Sequence, residues 1–397
     1  MNNLMDEAMR WFGPADTVLL AEIRQTGATA IFTALHEVPS GEAWSTAAIA
    51  ERKAVVAAAG LTWRVVESVP VSEEIKTRTG DFARHIANFC VTLERLGAAG
   101  IDVVVYNFMP VMDWVRTDLH FRLADGSEGL RYDPVKFAAF ERFALLRPGA
   151  QRDFTEEQWA AAEAYWASLE AAAREAFTQQ TLDLFPGVRL GLTVADFRAR
   201  LARYASIDAE RLRENLRLFL TAVVPAAEAA GVRLALHPDD PPFSVLGLPR
   251  IVSTEDDLRW VLATVDSAAN GLCYCTGSLG VRGDNDLAGI VRRCGSRIHA
   301  VHLRSVEREP GGGFFEANHL EGSVDMPAVV LALLREQEGR RREGRKDWQL
   351  CLRPDHGHRL LDDFRRPPPA CPGYSIAGRM RGLAELRGLQ RGLSRVF

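Results

Sequence analysis

Four residues with metal-binding side chains punctuate the second half of this sequence: His237 in "LHPDD", Cys275 in "CYCTGS", His302 in "VHLRS" and Asp355 in "RPDHGH". They are separated by 38, 27 and 53 residues, each about one strand–helix unit. Two imidazoles, a thiolate and a carboxylate suit a divalent transition metal. The thiolate favours zinc or iron, and the carboxylate with open positions admits manganese. Such a site, with room left for substrate, is catalytic rather than structural. Each residue alone has a plainer reading, as a satisfied core His or Cys or as an Asp helix cap. Four in register on successive strands are harder to dismiss. Cys275 is taken over Cys273 because it lies nearer the strand end, and Cys273 is expected to face the helices. Arg304, Arg353, Arg282, Asn107, His356 and His358 lie close by in sequence or at a strand end. Arginines around a metal suit an anionic substrate, since a carboxylate takes a bidentate fork.

These side chains need elements that aim them at one point. Short apolar runs recur at 9–13, 28–35, 61–69, 101–108, 232–238, 271–277, 297–303 and 348–354. Helical patterns separate them, such as "STAAIAERKAVVAAAG", with a Ser cap at its start and Gly at its end. Strand and helix alternating eight times imply a parallel sheet with helical crossovers, closed as a (β/α)8 TIM barrel. In that fold function sits at the C-terminal ends of the strands, where the four residues fall. No G-x-G-x-x-G follows the first strand, which weakens a dinucleotide-binding reading. The interval 109–206 is too long for a loop. Its Ala- and Glu-rich stretch "FTEEQWAAAEAYWASLEAAAREAFTQQTLDLF" predicts a mostly helical insertion after the fourth strand, within a single domain spanning 1–397.

Bulk properties narrow the class. Of 397 residues, 47% are apolar and 25% charged, a globular balance. Lys and Arg number 48 against 52 Asp and Glu, with no basic stripe, so nucleic acid is a poor partner. No run of about 18 apolar residues predicts a membrane span. Six scattered cysteines suit a reducing compartment, and the start "MNNLMDEAMRWFG" is not a signal peptide, so a cytoplasmic protein is expected. The insertion makes a homo-oligomer, a dimer or larger, the expected assembly.

The segments "TALHEVPSGEAW", "VVESVPVSEEIKT", "YNFMPVMDWVRTDL", "HPDDPPFSVLGLPRIVST", "CTGSLGVR", "HLRSVERE", "HLEGSVDM" and "RPDHGH" together resemble the mannonate dehydratase family, over nearly the whole chain. The resemblance implies a xylose-isomerase-like TIM barrel. It implies conversion of D-mannonate to 2-keto-3-deoxy-D-gluconate and water in hexuronate catabolism, with Mn²⁺ or Fe²⁺. It implies His237, Cys275, His302 and Asp355 as ligands, with His356 and Tyr374, in "PGYS", in proton transfer. The sequence departs from the family pattern at the Pro triplet before Tyr374, at Ser323 and at Phe315, positions expected to touch the substrate rim. The nearest rival is a metal-dependent sugar isomerase or epimerase, or a dehydratase of another sugar acid, on the same barrel. A Cys ligand and an Arg-rich rim argue for an acid substrate. A non-catalytic sugar-acid binder is a rival of another class, and intact His356 and Tyr374 count against it.

Overall fold

The structure, a computed structural model, describes residues 4–183 and 192–395. Eight parallel strands close into a barrel: β1 Asp6–Arg10, β2 Ala30–Thr33, β3 Thr62–Glu67, β4 Val103–Tyr106, β7 Arg233–Leu236, β8 Asn270–Cys275, β9 Ile298–His302 and β12 Cys351–Arg353. They neighbour one another in chain order, and β12 returns to β1 through Asp6↔Cys351. Seven strands overlie the expected runs. The first begins three residues earlier than expected, because Asp6 and Glu7 open it half-buried and carry no apolar signal. Gly13, at φ +96, turns the chain where that run was expected to end.

The sequence also explains the helices. Ser45 Oγ accepts from the Ala48 N–H and starts the helix Thr46–Ala58. Asp208 caps the helix Ala209–Ala230, and Gly231 ends it at φ +66. The barrel interior is narrow and lined by small side chains, among them Ala8, Ala30, Ala235 and Ala300, with Phe32 the large one. Cys273 lies in that interior, not against the helices as expected. Residues two apart on a strand share a face, so Cys273 and Cys275 point the same way. The apolar surface between strands and helices forms a separate, larger core.

The insertion opens differently from the expectation. Its first elements are a hairpin, β5 Asp118–Arg122 and β6 Glu128–Tyr132. The turn is "ADGS": Gly126 takes φ +84, and Asp125 accepts from the Ser127 N–H and hydroxyl. Strand β6 pairs with β11 Phe314–Ala317, which pairs with β10 Ser305–Arg308 from the loop after β9. The resulting four-stranded antiparallel sheet, in order β10-β11-β6-β5, ties the insertion to the barrel mouth. Helices then follow at Pro134–Ala139, Glu156–Ser168, Ala171–Asp183 and Val194–Ala202. Among the described residues, no helix is long and apolar enough to cross a membrane.

The last helix, Ile376–Leu393, packs directly against the turn 356–358. A Cβ on Gly378 would lie 1.9 Å from the His358 carbonyl oxygen, and one on Gly357 would lie 2.4 Å from the Arg379 nitrogen. Two glycines face to face therefore allow backbone-to-backbone contact. Gly378→Ala is expected to lower the unfolding free energy by about 1–3 kcal/mol, the usual cost of overpacking. Urea melts would measure this, and an unchanged midpoint would show that the helix shifts without cost.

Candidate metal centre

His237 follows β7 directly, Cys275 ends β8, His302 ends β9, and Asp355 lies two residues beyond β12. All four arrive at the C-terminal mouth of the barrel. Ligand atoms of Cys275, His302 and Asp355 lie within 4.8 Å of one another. The His237 and His302 rings are 5.1 Å apart. Asp355 adopts φ +63, a left-handed conformation that Asp tolerates better than most residues. Its carboxylate accepts from Arg353 Nη1 at 2.5 Å and lies 3.2 Å from Arg304 Nε.

The protonation chemistry fits a cation. Burial raises the Cys275 thiol, as does Asp355, but His237 and His302 outweigh both and hold it down to about 5. Burial lowers His237, yet its contact with the Cys275 thiolate raises it to about 9. Burial, with Glu67 and Cys275, pushes the Cys273 thiol well above the ordinary value despite Arg353. Burial raises Asp355 too, but Arg353, His356 and Arg304 hold it well below the usual carboxylate range. His237 Nδ1 lies 2.7 Å from the Pro238 carbonyl, which can only accept. Nδ1 therefore carries a hydrogen, and Nε2 is the nitrogen that a metal would take in exchange for its proton, the arrangement common in metal-binding histidines.

Charge balance points the same way. Four buried guanidiniums surround the site, Arg10, Arg116, Arg304 and Arg353. They pair with four buried carboxylates, Glu67, Asp240, Glu316 and Asp355. Once these cancel, the Cys275 thiolate and the His237 imidazolium remain as a facing pair, and a divalent cation held by both would take the place of the imidazolium's proton.

The other expected site residues divide. His356, Tyr374, Arg304, Arg353 and Asn107 all line the pocket above the ligands. The His356 and Tyr374 rings meet edge to face at 4.8 Å, and the Tyr374 hydroxyl lies 3.5 Å from Asp355 Oδ1. The Pro triplet does not displace Tyr374 from the pocket. Burial and Asp355 push its phenol above the ordinary value despite Arg353. Arg304 and Arg353 have their forks engaged: Arg304 with Asp240 at 2.6 Å and Glu316 at 2.7 Å, Arg353 with both oxygens of Glu67. Asn107 Nδ2 donates to Asp113 at 2.7 Å. Arg282 is not in the pocket; its fork is spent on Asp284, two residues along an exposed loop. His358 is buried, with Nε2 donating to the Glu316 carbonyl at 2.7 Å. Phe315 and Ser323 lie off the pocket: Phe315 packs on Phe121 in the antiparallel sheet, and the Ser323 hydroxyl accepts from the Arg308 N–H.

The sequence reading missed Glu67, Arg10, Asp240, Glu316 and Arg116. Two of these obey the strand-end rule that picked out the candidate ligands, since Arg10 ends β1 and Glu67 ends β3. Asp240 lies three residues beyond His237, inside a segment already singled out. Arg116 and Glu316 stand 200 residues apart and carry no local signal of their pairing.

A closed parallel barrel of eight strands with helical crossovers has the fold of the xylose-isomerase-like TIM barrels. A magnesium-bound protein of that description from Mycobacterium smegmatis shares the fold, with TM-score 0.50 and 14% identity over 94% of this chain and 88% of its own. The family model described as D-mannonate dehydratase (UxuA) matches residues 5–397. A mannonate dehydratase of Marinomonas sp. is 50% identical, covering 98% of this chain and 99% of the relative. One from Chromohalobacter salexigens is 51% identical over 99% and 100%. The crystal structure of a mannonate dehydratase from Streptococcus suis serotype 2 superposes with TM-score 0.77 at 33% identity, covering 100% of this chain and 95% of that one. The chain belongs to the D-mannonate dehydratase family, whose members are metal-dependent hydro-lyases.

His302 also sits in a second cluster with His237 and Cys273. The contrast between the two thiols separates the alternatives. Cys275→Ser is expected to strip most of the metal from the purified protein, and Cys273→Ser to leave it. Elemental analysis of both variants decides this, and the reverse pattern would move the site deeper into the barrel.

Proposed function

We propose that this pocket removes water from D-mannonate to give 2-keto-3-deoxy-D-gluconate, with His237, Cys275, His302 and Asp355 holding Mn²⁺ or Fe²⁺. The observation that carries the reading is the convergence of that donor set with His356 and Tyr374 in one pocket, in a chain that matches the family from end to end. Dehydration breaks the C2–H and C3–O bonds and leaves an enol, which tautomerises to the 2-keto acid. The C2 proton is weakly acidic, because the neighbouring carboxylate already carries negative charge. When bound, the ion supplies positive charge to stabilise the enediolate-like charge that develops there.

The protein's own residues handle the protons. His356 and Tyr374 divide two transfers, one taking the C2 proton and the other protonating the departing C3 hydroxyl. Arg304 and Arg353 act through the groups they hold: both grip Asp355, and Arg304 also reaches Glu316 beside His356. Asn107 and Asp113 also line the pocket, with side chains that can hydrogen-bond hydroxyls of a sugar acid. The six unpaired cysteines support a cytoplasmic setting. The homo-oligomer expected from the insertion is read directly by light scattering.

The test is a 2-keto-3-deoxy acid assay on chelator-stripped protein restored with Mn²⁺ or Fe²⁺ and given D-mannonate. Product that depends on metal is expected. His356→Gln and Tyr374→Phe are each expected to lower kcat by about 10²- to 10⁴-fold, the usual contribution of one proton-transfer group, with metal content unchanged. Full metal occupancy without product would sink the substrate assignment.

A further inference from the structure

Glu316 lies outside the barrel, on β11 of the antiparallel sheet, yet its carboxylate reaches the proton-transfer pair. It is 2% exposed. Three nitrogens converge on its Oε1: His356 Nδ1 at 2.6 Å, Arg304 Nη1 at 2.7 Å and Arg116 Nη2 at 3.3 Å. Burial alone would favour the neutral acid, but His356 and the two guanidiniums hold it down to about 2. An ionised carboxylate only accepts hydrogen bonds. A nitrogen 2.6 Å from its oxygen must then carry a hydrogen, because a lone pair facing it at that distance would repel. Arg304 Nη1 also lies 2.9 Å from His356 Nδ1. Since a guanidinium cannot accept, both nitrogens donate to the same oxygen.

We propose that Glu316 is a positioning residue for the dehydration: it pins the hydrogen on His356 Nδ1 and leaves Nε2 to exchange the proton with substrate. Nε2 lies 3.8 Å from Asp355 Oδ1, on the ligand side of the ring. The geometry is anchored twice, because His358 donates to the Glu316 carbonyl from the turn that carries His356. Strand β11 is itself placed by pairing with β6, through Phe314↔Tyr132 and Phe315↔Arg131. The antiparallel sheet that the insertion completes thus holds this carboxylate against His356. The inference rests on the reading of His356 as a proton-transfer group.

Two measurements test it. The first is NMR of the full chain with ¹⁵N-labelled histidine, loaded with diamagnetic Zn²⁺, with the His356 signals identified by their loss in His356→Gln. A hydrogen on Nδ1 is expected; a bare Nδ1 with the hydrogen on Nε2 would overturn the proposal. The second is kinetics of Glu316→Gln and Glu316→Asp. The Gln amide can donate to Nδ1 and release the tautomer, so kcat should fall about 10²-fold or more while KM stays within about threefold and metal content holds. Asp keeps an acceptor and should recover part of the loss. A Gln variant with wild-type kcat, or one that loses metal and kcat together, would overturn the positioning role. If Gln does not fold, the wild-type spectrum still decides the tautomer. An undiminished kcat in His356→Gln would overturn the reading of His356 itself, and with it the catalytic meaning of the tautomer, whatever the spectrum shows.

Discussion

Asp355 joins two chains of buried charge, and the mouth of the barrel depends on that junction. On one side, Arg10 and Glu67 run to Arg353. On the other, Arg116, Asp240 and Glu316 run to Arg304. Asp355 is held by Arg353 and Arg304 together. Removing ions from water costs several kcal/mol each, so such groups persist only where partners and geometry compensate. Here each carboxylate meets more than one guanidinium. The arrangement contributes little net stability over an apolar mouth. What it supplies is a fixed position for the Asp355 carboxylate at the barrel mouth, on a backbone held in a left-handed conformation.

The network also separates two kinds of arginine. One that is to bind a substrate carboxylate needs free donors, and Arg304 and Arg353 have spent most of theirs on protein acids. Their part is to hold Asp355 and the groups around it. Catalytic sites of this kind gain from dipoles and charges that are already oriented before substrate arrives.

The antiparallel sheet gives the insertion its connection to the site. The hairpin β5–β6 and the hairpin β10–β11 come from different barrel loops, and each alone would be marginal in water. Joined, they make four strands. Arg116, just before β5, and Glu316, on β11, meet at 3.3 Å beneath that sheet.

Barrel, strand ends and the candidate ligands at those ends were legible in the sequence because each is a local signal. A buried parallel strand reads as a short apolar run, and a polar residue at its C-terminal end reads as an exit into the active site. By that rule His237, Cys275 and His302 were found, and Glu67 and Arg10 could have been. The "DG" turn of the β5–β6 hairpin was a local signal too, masked by the long Ala-rich stretch after it. Cys273 against Cys275 was a question of strand period, answerable from the spacing of two. The sequence by itself determined the eight-unit barrel and the residues at its late strand ends. Only the tertiary structure decided that Arg282 turns to Asp284, that Arg304 and Arg353 are engaged, and that Arg116, Asp240 and Glu316 share a buried network. The reason is physical: strand ends follow from local patterning, whereas a buried ion pair is specified by where distant segments meet and how completely water is excluded between them.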